Sequence, residues 1–137
     1  MIVFMKKLKN HPFSLLLIAV IWVACFIDVP ETPLSDVALI DKWTHTAMYA
    51  VTCSVIWVEY LYCHRGKGVK WSHVTLWIWL VPVMMSGAIE LLQAYCTGGR
   101  RSGEWLDFLA NAIGCSVPFL IGAAYVLRAN ACRKNVS

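Results

Sequence analysis

ELLQAYCTGGRRSGEWLDFLAN, residues 90–111, decides how this chain is read. It carries Glu90, Gln93, Arg100, Arg101, Glu104, Asp107 and Asn111 between two strongly apolar runs, Val74 to Tyr95 and Asp107 to Leu127. An ionisable residue at membrane depth is costly, and where it persists it serves pairing, binding or chemistry. A second segment, DKWTHTAMY at 41–49, has the same mixed character. The remainder reads as apolar scaffold holding these two stretches.

The 137 residues suffice for one domain. The chain is 59% hydrophobic and 15% charged, with a mean hydropathy of +0.61, against about 25% charged residues in ordinary soluble domains. The apolar excess falls in four blocks, which predicts an all-α polytopic membrane protein with helices at roughly 10–27, 42–62, 73–95 and 107–127. The net charge of +4 comes from short basic clusters beside apolar blocks. No basic stripe interleaves with aromatics, so nucleic acid is not the expected partner; the bilayer is. Six cysteines lack CxxC spacing and lie mostly in or beside apolar runs, so neither a structural disulfide nor a zinc site is expected.

The first run, Pro12 to Ile27, follows Lys6, Lys7 and Lys9 and fits either a retained helix or a signal peptide; the retained helix is the reading adopted. Pro30 and Pro33 break the loop after it, where Asp28, Glu31 and Asp36 are acidic. In the second run Asp41, His45 and Tyr49 recur every four residues, a stripe about 12 Å long on one helix face. Ser86, Glu90 and Gln93 share a face of the third run, where Pro82 predicts a kink. Asp107, Asn111, Gly114, Pro118 and Gly122 share a face of the fourth, and its glycines allow another backbone to approach closely. Glu59 reads as a lone charge at the inner interface, and the basic tail from Arg128 onward as loose.

Lysine and arginine counts orient the helices. Three segments that alternate in topology hold nine of the twelve basic residues: Lys6, Lys7 and Lys9; Arg65, Lys67 and Lys70; Arg128, Arg133 and Lys134. Both termini are therefore cytoplasmic. Asp41, Lys42 and His45 then lie in the outer half of the second helix, Glu90 and Gln93 in that of the third, and Asp107 and Asn111 in that of the fourth. The Arg100–Arg101 loop joins the last two.

Three helices and a loop thus aim polar groups at one outer-leaflet pocket, and Glu90 requires a cation, for which Arg100, Arg101 and Lys42 are the candidates. The plainer reading is a polar network that only fixes helix register.

At these residues the chain resembles the VanZ-like family of small bacterial membrane proteins. The likeness rests on DKWTHTAMY at 41–49, ELLQ at 90–93 and GRRSGEWLDFLANAIG at 99–114, and extends through nearly the whole chain. The resemblance implies polar positions at Asp41, Lys42, His45, Glu90, Gln93, Arg100 or Arg101, Asp107, Asn111 and Gly114. It also implies a multi-pass protein of the bacterial cytoplasmic membrane, an accessory role in the cell envelope and a link to glycopeptide (teicoplanin) resistance. No established reaction comes with it.

Two functional expectations stand side by side. In the first, the pocket binds an anionic lipid or lipid-linked glycan through Lys42, Gln93, Arg100, Arg101 and Asn111, helped by the helix amino end that follows the arginines. In the second, the pocket is a membrane-embedded enzyme site. His45 is its general base, oriented by Asp41 or Asp107, and Glu90 is an acid or orienter. A proton-coupled transporter fits less well, because the ionisable residues stop in the outer half. No cofactor is expected, and one histidine with carboxylates is thin for a transition metal. A homodimer through Gly114 and Gly122 is the assembly the small residues suggest.

Overall fold

The computed structural model describes residues 11–27, 40–64, 68–96 and 104–134, and every element among them is helical. The helices are α1 (Pro12–Phe26), α2 (Ile40–Cys63), α3 (Trp71–Cys96) and α4 (Trp105–Lys134). Of these, α3 and α4 are long and apolar enough to cross a membrane, and α1 is a shorter apolar helix. The expected boundaries fall close to the observed ones, except at the end of the chain. There α4 continues through Lys134 instead of giving way to a loose tail after Leu127. Arg128, Ala129, Ala131 and Lys134 are good helix formers, and neither glycine nor proline interrupts them.

Pro82 acts on α3 through its hydrogen-bond ladder. Thr75–Leu80, immediately before it, is wound as a π-helix, and regular α-helix resumes at Val81. Proline cannot donate to the carbonyl four residues back and its ring crowds that carbonyl, so a widened turn at this place relieves both problems.

The core face of α4 lies against α2, the most extensive packing in the bundle. Gly114 permits it: a methyl group there would collide with the backbone carbonyl of Thr46. Thr46 Oγ1 in turn donates to Ala110 O at 3.2 Å. Two turns on, a methyl at Gly122 would lie 2.5 Å from the Trp57 indole. The two glycines expected at a homodimer contact therefore serve the α2–α4 contact within the chain.

Short α1 is held at both ends. Its first free amides, on Phe13 and Ser14, donate to Glu59 of α2 at 2.9 and 3.3 Å, and the Ser14 hydroxyl donates to the same carboxylate. Those amides have no partner inside their own helix. Glu59 is thus the amino-terminal cap of α1, not the unattached interfacial charge that the sequence suggested. At the other end, Gln93 of α3 donates through Nε2 to Cys25 O at 2.7 Å.

Two apolar clusters fill the interior. One gathers Ile21, Tyr49, Cys53, Ile89 and Cys115; the other gathers Ile56, Trp57, Tyr60, Val74, Ile78 and Val126. Outward, large apolar side chains are open along the bundle, including Phe13, Leu16, Val58, Met84, Leu91, Leu120 and Ile121. Inward, Ser14, His45, Thr52, Glu59, Ser86, Glu90, Gln93, Asp107 and Asn111 are buried.

Candidate functional site

The polar site lies where the amino-terminal halves of α2 and α4 meet the carboxyl-terminal half of α3. The four-residue spacing of Asp41, His45 and Tyr49 places them along one side of α2. Tyr49 and His45 are buried, while the Asp41 side chain is 57% exposed and lies at the mouth. Helical spacing on α3 turns Ser86, Glu90 and Gln93 inward, and on α4 it does the same for Asp107 and Asn111.

His45 is held in one orientation. Its Nδ1 lies 3.2 Å from Asn111 Oδ1, and Asn111 Nδ2 donates to Ser86 Oγ at 2.8 Å. An amide oxygen only accepts, so His45 donates from Nδ1–H, and neutral imidazole then carries its lone pair on Nε2. That Nε2 lies 3.7 Å from Asp41 Oδ1. The relay His45–Asn111–Ser86 ties α2, α4 and α3 together through side chains alone.

Lys42 is surrounded by carboxylates. Its ammonium lies 2.5 Å from Glu104 Oε2, 2.6 Å from Asp107 Oδ1 and 3.8 Å from Asp41 Oδ2. It is their counter-ion, which changes its expected part: it neutralises acids of the site and is engaged with them, where the sequence suggested an open anion ligand. Gln93 also differs from expectation, because its amide nitrogen anchors α1 through Cys25 O.

Glu90 lies under the amino end of α4. Oε2 accepts from the backbone N–H of Glu104 at 3.2 Å, so the carboxylate caps the helix start much as an N-cap side chain would. Oε1 is buried and has no hydrogen-bond partner among the described residues. Asp107, His45 and Asp41 are its ionisable neighbours. Arg100 and Arg101 lie outside the described residues.

The described residues hold four carboxylates, those of Asp41, Glu90, Glu104 and Asp107, around the cation of Lys42 and the imidazole of His45. Within this group Asp41, His45 and Asp107 each offer one donor atom within 4.8 Å of the others, a spacing compatible with holding a metal ion. Glu104, named in the sequence among the polar residues of the 90–111 stretch, is the one member given no role there. Its position three residues before Asp107, ahead of a helix start, was the signal available, since acidic groups concentrate there.

Comparison with protein-family models, with curated proteins and with solved structures returned no match.

Proposed function

We propose that the chain is a four-span protein of a bacterial cytoplasmic membrane with both termini cytoplasmic, and that the polar site at its outer face binds the polar part of an envelope ligand. An anionic lipid or a lipid-linked glycan is the ligand class, and Arg100 and Arg101 supply the anion recognition. The carrying observation is the meeting of Asp41, Lys42, His45, Glu90, Asp107 and Asn111, from three helices, at one end of an otherwise apolar bundle. An open apolar surface around a buried polar interior supports the membrane reading. So does the alternation of the basic clusters. The likeness to the VanZ-like family at DKWTHTAMY, ELLQ and GRRSGEWLDFLANAIG points the same way, toward an accessory role in the envelope.

Native mass spectrometry of the protein in mild detergent tests the binding. A specific anionic lipid is expected on the wild type and is lost from Arg100→Ala/Arg101→Ala. Identical lipid profiles for the two would leave the polar groups as a register-fixing network.

His45 favours a second reading, an enzyme acting on such a ligand. With Nδ1–H held by Asn111, Nε2 is the atom free to take a proton, and it lies on the side of exposed Asp41. Retention or accumulation of the lipid by His45→Ala would mark the ligand as a substrate.

A further inference from the structure

We propose that Asp41, His45 and Asp107 form a binding site for one divalent cation of the Mn2+ or Zn2+ type. One donor atom from each of the three lies within 4.8 Å of the others. Donors that share an ion through bonds of about 2.0–2.2 Å are roughly 3–4.4 Å apart. A closure of under about an ångström, within the reach of side-chain rotation alone, therefore completes the set.

The histidine is prepared as metal-ligating histidines are. Its Nδ1–H is donated to Asn111 Oδ1, itself oriented through Ser86, which leaves the Nε2 lone pair for the ion. Nε2 and Asp41 Oδ1 lie 3.7 Å apart, a separation that two ligands of one ion also have. A second observation comes from α3. Glu90 is 7% exposed, its Oε1 has no hydrogen-bond partner among the described residues, and the three proposed ligands are among its ionisable neighbours. A buried carboxylate oxygen without a donor is costly unless something binds it.

Lys42 does not fill this role. Its ammonium is held by Glu104 Oε2 at 2.5 Å and Asp107 Oδ1 at 2.6 Å, and lies 3.8 Å from Asp41 Oδ2, while Asp41 Oδ1 is the oxygen that faces His45. Lysine and metal thus take opposite oxygens of Asp41, and the ion takes Asp107 through the oxygen that Lys42 leaves. Asp41, with a side chain 57% exposed, provides the access route. Mixed carboxylate and imidazole ligands suit Mn2+ or Zn2+ better than Mg2+, which prefers oxygen throughout, or Cu(I), which prefers sulfur. The ion also reconciles the acidic site with the anionic ligand proposed above, since it would stand between carboxylates and headgroup.

The test uses the full chain in detergent, stripped with chelator and titrated with Mn2+ followed by electron paramagnetic resonance, then with Zn2+ as competitor. About one tightly held Mn2+ per chain, displaced by Zn2+, is the expected result. Asp41→Asn, a mild change at an exposed position, and His45→Ala each weaken binding by roughly 100-fold. Asn111→Ala, which removes the orienting partner, weakens it by about 10–100-fold. Arg100→Ala/Arg101→Ala leaves it unchanged, so loss of the lipid reading and loss of the metal reading are separate results. Absence of stoichiometric Mn2+ and Zn2+ on the wild type would overturn the site, as would binding unaltered in both Asp41→Asn and His45→Ala.

Discussion

Glu90→Gln separates a carboxylate kept for a ligand from one kept for stability. Among the described residues the wild-type carboxylate receives one long hydrogen bond, from Glu104 N at 3.2 Å to Oε2, and has Asp107 and Asp41 as like-charged neighbours. Glutamine keeps the shape and an accepting oxygen, so the change forfeits the charge-assisted part of that bond, about 1 kcal/mol. It removes a repulsion between carboxylates worth about 2 kcal/mol at an effective dielectric near 20. The net is a gain of about 1 kcal/mol, which raises Tm by roughly 4 °C in a chain of this size. Thermal unfolding in detergent at about pH 8, with chelator present, reads it. A loss of about 2 kcal/mol or more would refute the reasoning, because truncating a buried carboxylate costs that much only when a cation is paired with it.

Three further outcomes follow from the same contacts. Glu59→Ala leaves the Phe13 and Ser14 amides without their acceptor and lowers stability by about 3 kcal/mol, with faster hydrogen exchange confined to the start of α1. Gly114→Ala sets a methyl group against the Thr46 carbonyl and costs about 1–2 kcal/mol despite the better helix propensity of alanine, read as a lower Tm. Asn111→Leu deletes both the acceptor of His45 Nδ1 and the donor to Ser86 Oγ and lowers stability by about 2–3 kcal/mol; an unchanged Tm would place Asn111 outside the relay.

Helix positions were legible because apolar runs and helical spacing are local properties. The stripe Asp41–His45–Tyr49 and the inward face of α4 follow from residue spacing alone, and both pack as that spacing requires. What depended on partners was not legible. Glu59 looked idle because nothing near it in sequence needs an acceptor; the amides it caps are 46 and 45 residues away. Gln93 and Lys42 lay on the expected faces, yet their partners, Cys25 O and the acids of α4, were fixed only by the packing of helices. The π turn before Pro82 was foreshadowed as a kink, but proline does not specify how its missing hydrogen bond is absorbed. The spacing that brings Asp41, His45 and Asp107 within reach of one ion depends on Gly114, whose close contact with Thr46 sets the α2–α4 separation.

Side-specific labelling of the natural cysteines asks most directly whether the polar site opens at the outer face of a membrane. Cys96, at the end of α3 that carries Glu90 and Gln93, is exposed, and so is Cys132, near the far end of α4. Variants that keep one cysteine each are treated on intact cells with a membrane-impermeant maleimide. The proposed topology predicts that Cys96 reacts and that Cys132 reacts only after permeabilisation. Labelling of Cys132 with protection of Cys96 would place the site at the cytoplasmic face. Labelling of both in intact cells would mean that α4 does not cross the membrane.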